Sequence, residues 1–184
     1  MKIVKELTAF RKLPLYVAVL LPLAGWAQPR VLLQGSFSVS AEALPNTAGA
    51  SFCGGSPTDD LVIEAHGTGF STLGAFTFTL HKTFKFSTGQ YHGCLVLTAS
   101  NGDTLTANYQ LSQPASASDF STASGTLTIT GGTGRFKGAT GSLNASGVFL
   151  SLYPANSFIG GKTAPLQVAA QYVIDGTVSL AVGF

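Results

Sequence analysis

Glu64 and His66 stand two residues apart in an alternating stretch, with Leu61, Ile63 and Ala65 on one side and Val62, Glu64 and His66 on the other. Alternation of period two puts that carboxylate and that imidazole on the same face of a strand. Facing a barrel lumen, the pair would do acid–base work. Facing water, it is a solvated pair worth little. The mixed polar face favours the water side. Tyr109 and Tyr172 sit among apolar positions of two other segments, so their hydroxyls need a buried partner or a wet cavity, with core packing the default. Asp103, in the turn Asn101-Gly102-Asp103, and Arg135, in a glycine-rich run, are mouth candidates. Each would either meet a ligand there or cap a turn.

Other chemistries lack their residues. There is no G-x-S-x-G elbow. The only cysteines are Cys53 and Cys94, which in an exported chain form one disulfide closing a loop of ~40 residues, worth roughly 3–4 kcal/mol. A metal site built with His66, His81 and His92 is the alternative. No C-x-x-C or H-x-x-x-H spacing accompanies those histidines, and neither a metal nor a cofactor is expected. Asn144-Ala145-Ser146 fits a glycosylation sequon, relevant only in a host that glycosylates.

The elements that must position these residues are strands. Between Ala75 and Phe86 the even positions are Phe76, Phe78, Leu80, Lys82, Phe84 and Phe86, and the odd ones are Ala75, Thr77, Thr79, His81, Thr83 and Lys85. This reads as one half-buried strand, or as a hairpin bending near Lys82. The pattern recurs at Leu105, Ala107, Tyr109 and Leu111, and at Leu127 and Ile129. Eight strands are predicted, near 31–40, 60–66, 75–86, 93–99, 104–111, 124–130, 141–152 and 166–182, the last long enough to bend near Asp175-Gly176. Loops are predicted at 41–59 and 112–123. No segment has a helical period. The fold class is therefore all-β, an eight-stranded antiparallel β-barrel, because closure removes exposed edges. A two-sheet sandwich fits the same pattern.

The first 27 residues read as a cleaved signal peptide. Lys2, Lys5, Arg11 and Lys12 precede an apolar run from Leu13 to Leu23, and Gly25-Trp26-Ala27 offers small residues to a peptidase. The run of about 11 residues falls short of the ~20 a membrane helix needs. A single domain over 28–184 follows, secreted or periplasmic, with no membrane span in the mature chain. The full chain has 10 Lys+Arg against 8 Asp+Glu. Cleavage removes four basic residues and Glu6, leaving 6 against 7. With no basic patch, nucleic acid is excluded as a partner.

The run from Ile129 to Ser142 is the most specific local signal, with Gly131, Gly132, Gly134, Gly138 and Gly141 around Phe136. A phosphate-binding loop would need a strand before it and a helix after it. Here another strand pattern follows, so the run is a tight connection whose glycines supply positive φ while Phe136 plugs the core. This run resembles the signature of allene oxide cyclase-like barrels and of the related plant dirigent proteins. Gly69 to Gly74 is similar to their threonine-leucine-glycine segment, and Leu97 to Leu105 to their hairpin with an Asn-Gly-Asp turn. The likeness spans about 60 to 150 and is better to bacterial exported members than to the plant enzymes. It implies an eight-stranded barrel with a largely apolar lumen, a homo-oligomer (trimer or dimer), and a small apolar ligand held as by a cyclase or stereochemical template. Such an isomerase-type role needs no covalent nucleophile or metal. The matching motifs are turns and packing elements, so the resemblance transfers no catalytic residue. A non-catalytic extracellular module with a filled barrel is the alternative.

Overall fold

The computed structural model describes residues 28–114, 120–151 and 166–181. Eight strands run in chain order: β1 (Arg30–Pro45), β2 (Leu61–Ser71), β3 (Gly74–Lys85), β4 (Gln90–Ala99), β5 (Thr104–Ser112), β6 (Phe120–Gly132), β7 (Thr140–Ser151) and β8 (Leu166–Ser179). Each pairs antiparallel with the next, and β1 pairs with β8 from Arg30 opposite Ser179 to Ala43 opposite Leu166. The sheet therefore closes into a barrel and not a sandwich. The proposed signal peptide lies outside the described residues. Among those residues no helix is long and apolar enough to cross a membrane.

Several strands exceed their predicted bounds. β1 runs on to Pro45, β2 to Ser71, and β6 starts at Phe120. β3 is continuous through Lys82, so the hairpin alternative is wrong there, and Phe86 lies beyond the strand, exposed. β8 passes through Asp175 and Gly176 without a break.

Inward positions carry the core: Phe37 from β1, Phe76, Phe78 and Phe84 from β3, Tyr91 from β4, Tyr109 from β5, Phe149 from β7 and Tyr172 from β8 are all buried. Eight strands leave a lumen just wide enough for side chains to fill. These rings fit because inward glycines lie beneath them. A Cβ on Gly147 would sit 2.9 Å from the Tyr172 ring, and one on Gly69 would overlap the Phe37 ring and the Ser36 carbonyl. Large residues over glycine are how a narrow barrel accommodates aromatics. Phe78 stacks on Tyr172 at 5.8 Å, and Phe149 meets Tyr172 edge-on at 5.3 Å. Opposite walls thus touch across the middle.

One end is plugged by Phe136, fully buried against Phe76 at 5.9 Å. Its 3-10 turn (Gly134–Phe136) begins at φ +53°, and a Cβ on Gly134 would strike the Asp103 carboxylate. Gly132 is glycine for a different reason: its backbone is not left-handed, but a Cβ would overlap the Thr104 carbonyl.

The loop 46–60 folds over the outer wall of β3 and β4. The Cys53–Cys94 disulfide ties it there, which removes both thiolates from any metal site. The Phe52 ring lies 5.8 Å from His81, and the Thr83 hydroxyl donates to Asp59. Thr83 is consequently 0% exposed although it faces away from the lumen. Replacing both cysteines by Ser is expected to cost roughly 3–4 kcal/mol, since the bond closes a loop spanning 41 positions. Urea unfolding of the double variant measures this. Retained stability would mean the loop is held by its other contacts alone.

Candidate functional site

Lys82 occupies an inward position of β3, in the alternating set Phe76, Phe78, Leu80, Lys82 and Phe84, and is 2% exposed. Its partner on β4 is Gly93, whose partner on β5 is Tyr109. With no side chain between them, the ammonium and the phenol approach each other over glycine. Tyr172 on β8 pairs with Phe37 on β1 and Gly147 on β7. It reaches the same point from across the lumen. Lys82 Nζ donates to Tyr172 Oη at 3.1 Å and to Tyr109 Oη at 3.5 Å, and the two phenol oxygens are 3.0 Å apart.

Aromatic faces enclose this triangle. Nζ lies 4.3 Å from the Tyr91 ring centroid, 5.1 Å from both Tyr109 and Phe149, and 5.8 Å from Tyr172. Such a cage recognises cations, and here the protein's own lysine fills it. Among the described residues no carboxylate touches Nζ: Glu42, Glu64 and Asp175 face outward, Asp59 and Asp60 lie in the loop over the outer wall, and Asp103 lies in an end turn. Loss of water is therefore uncompensated by an opposite charge, and burial lowers the Lys82 pKa to about 7. Burial also raises the phenols of Tyr91, Tyr109 and Tyr172. For Tyr109 the neighbouring Tyr172 adds to that effect.

The proton count has chemical meaning. With a neutral amine, the three groups can close a ring in which each donates once and accepts once. A protonated amine has three donors and no acceptor. The cluster then holds five donor hydrogens and only two acceptor oxygens, a surplus that an oxygen atom of a ligand would take up. Tyr91 stands toward the end of the barrel away from Phe136, and its hydroxyl donates to Gln113 Oε1 at 2.7 Å. That end is the nearer route to Lys82, since Phe76 is six residues, about 20 Å of strand, from it.

The residues singled out from sequence divide into three groups. Tyr109 and Tyr172 meet in the lumen, each with the other and with Lys82. Asp103 and Arg135 meet at the Phe136 end. The Asp103 carboxylate accepts the Arg135 backbone N–H at 3.2 Å and the Asn101 side chain at 2.8 Å. Arg135 Nη2 donates to the Leu73 carbonyl at 3.1 Å and the guanidinium covers the Phe136 ring at 4.7 Å. Arg135 thus joins three turns and caps the plug. Glu64 and His66 are exposed on the outer wall, the side their mixed polar face favoured, so neither lies in the lumen. Nor do they pair with each other. Glu64 lies 3.6 Å from His81, its cross-strand neighbour on β3. His66 borders a shallow outer groove of about 610 Å³ with Thr68, Val148, Leu150 and Gln171.

Lys82 is the residue that sequence reasoning missed. Its signal was present: a lone lysine in register with five apolar residues. A bend explained it as well as burial did until closure of the barrel placed it inside.

No protein-family model matches the chain, and no curated protein sequence matches it. Among solved structures it is similar to a pterocarpan synthase dirigent protein, at 14% identity with a TM-score of 0.45, over 84% of this chain and 88% of that one. The closed eight-stranded barrel is established by the strand pairing itself.

Proposed function

We propose that this barrel binds a small, largely apolar molecule in its lumen and sets its conformation, in the manner of a cyclase or stereochemical template of the allene oxide cyclase or dirigent type. The observation that carries the reading is Lys82, buried among aromatic rings with no carboxylate partner among the described residues. A core that needed only to be stable would place an apolar side chain there. The phenols of Tyr109 and Tyr172 and the lysine amine would hold a carbonyl, hydroxyl or carboxylate oxygen of the ligand, while Phe78, Tyr91 and Phe149 line its apolar body. Because Phe78, Phe149 and Tyr172 touch across the lumen, ligand admission requires these rings to move apart as well as the Tyr91–Gln113 contact to yield. An exported location belongs to the same reading, and the Cys53–Cys94 disulfide fits an oxidising compartment.

Titration with 1-anilinonaphthalene-8-sulfonate, an apolar anion, tests it. Saturable binding of one probe per chain is expected, weakened ~10-fold or more in Lys82→Met, since a charge-assisted contact is worth ~1.5–3 kcal/mol. Binding unchanged by that variant would overturn the lumen reading.

A second reading, an interaction module with a filled barrel, draws on the outer groove, where Val148 and Leu150 are exposed beside His66. It places probe binding or self-association there. Val148→Lys would then abolish binding or dissociate a dimer or trimer, measured by light scattering, while Lys82→Met would leave both intact.

A further inference from the structure

We propose that Lys82 binds its ligand covalently: the amine, held between the Tyr109 and Tyr172 hydroxyls inside the aromatic cage, condenses with the aldehyde or ketone carbonyl of an apolar ligand to give an imine. This rests on the lumen-binding reading and names the ligand class.

Three observations converge on the amine. Its nitrogen is aimed at the two phenols, at 3.1 and 3.5 Å. The groups packed around it from every side are neutral: Tyr91 from β4, Tyr109 from β5, Phe149 from β7, Tyr172 from β8 and, on the neighbouring strand, Ile63. None carries a negative charge that would offset the cost of burying it as an ammonium. Burial brings its pKa to about 7, so a substantial fraction of the molecules carries a free lone pair at neutral pH, whereas an ordinary lysine is roughly one part in three thousand neutral. Desolvation in an apolar pocket is a recognised way to make lysine a nucleophile.

The step balances without an outside oxidant or reductant. The nitrogen lone pair attacks the carbonyl carbon, and the C=O π pair moves to oxygen. One N–H proton reaches that oxygen through the hydroxyl pair, one phenol accepting as the other donates, so both end neutral. The resulting carbinolamine loses its hydroxyl together with the remaining N–H proton as water, and the C=N bond forms. The two phenols are positioning and proton-relaying groups, and the bond is made by lysine. An alcohol of the same shape can bind but cannot condense.

The test uses cinnamaldehyde, an apolar aromatic aldehyde, with sodium cyanoborohydride to fix any imine, followed by intact-mass analysis and peptide mapping. Cinnamyl alcohol serves as the non-condensing analogue, scored by displacement of 1-anilinonaphthalene-8-sulfonate. The expected result at pH 7 is one adduct per chain, on Lys82, formed at least ~10-fold faster than on Lys85 or Lys137, since desolvation makes a buried lysine the better nucleophile. Unfolding the protein in urea should erase that selectivity. Lys82→Met should abolish the adduct. Tyr172→Phe should slow adduct formation while cinnamyl alcohol still binds, a separation that a merely structural tyrosine would not give. Adducts spread over surface lysines at equal rates would overturn the proposal. If the alcohol displaces the probe but Lys82 stays unmodified, the covalent step is wrong and lumen binding stands. If neither compound displaces it and no adduct forms, both fall.

Discussion

Lys82→Met should stabilise the protein by about 3–5 kcal/mol at pH 6, raising its melting temperature by ~10 °C for a domain of this size. The folded-state pKa is about 7 against an ordinary 10.5, a difference of 3.5, or about 5 kcal/mol as a ceiling at 1.36 kcal/mol per unit. Its sign follows from proton counts. Between pH 7 and 10.5 the unfolded chain keeps the lysine proton and the folded chain has released it. Stability therefore rises with pH across that window, and the burial penalty is fully present below pH 7. The three phenols act in the opposite sense. Their pKa values are raised in the fold, so they favour the folded state at neutral pH and that contribution declines once pH passes about 10. The wild-type protein should accordingly be most stable near pH 10. Lys82→Met should lack the rise from 7 to 10 while keeping the Tyr109–Tyr172 hydrogen bond and the decline beyond. Urea unfolding at pH 6, 8 and 10 measures both curves, and the absence of free cysteines among the described residues removes thiol exchange as a complication. Parallel curves for the two proteins would mean that the amine is solvated and the lumen cluster does not exist.

That a lysine should weaken the fold it completes is the physical reason to look for a ligand there. A side chain retained for stability would gain from its surroundings, as Thr83 does from Asp59. Lys82 gains two phenol contacts and ring faces but, among the described residues, no counter-charge, which is the deficit an oxygen-bearing ligand would supply.

Much of the barrel was legible in the alternation, and the misses share one cause. β2 was predicted to stop at His66 because its next inward positions are Gly67 and Gly69, which carry no apolar signal. β6 was predicted to start late because 112–123, with its Ser, Ala and Pro, reads as a loop, and β1 to stop early because 41–59 holds two prolines and several glycines. The inward residues there are the small Ala123 and Gly125, and Ala41 and Ala43. Small residues mark where large ones from the facing wall intrude, as Phe37 does over Gly69. A single strand cannot announce this, since the information lies in its neighbour's sequence. The site was hidden in the same way. Tyr109 and Tyr172 could be read as inward, but β3, β5 and β8 are not consecutive, and only closure of β1 on β8 brings their side chains together. Glu64 likewise found its partner in His81 through the β2–β3 register, where the sequence offered only His66 two positions away.

Gly93→Ala should cost about 3 kcal/mol or more and remove the Lys82–Tyr109 contact. The backbone at Gly93 is not left-handed, so the expected loss owes nothing to φ. It comes from close approach: the new Cβ would overlap the His81 carbonyl and lie 2.5 Å from Lys82 Cβ and 2.8 Å from Lys82 Cα. Those are main-chain or main-chain-attached atoms, and no rotamer change relieves them. Either β3 and β4 separate, weakening the ladder between His81–Cys94 and Thr83–His92, or Lys82 is pushed off the phenols. Gly102→Ala supplies the contrast. It sits at φ +87° with nothing within 4 Å of a Cβ, so it should cost only the ~1 kcal/mol of an unfavourable backbone conformation. A double variant, Gly93→Ala with Lys82→Ala, separates the two causes. If the contact with the lysine side chain beyond Cβ were the problem, stability would return. Because the offending atoms survive in alanine, the double variant should remain as unstable as Gly93→Ala once the gain from removing the buried amine is subtracted. Full recovery in urea unfolding would show that β4 has room at this point, and with it that the narrow, glycine-floored lumen which seats Lys82 has been misread.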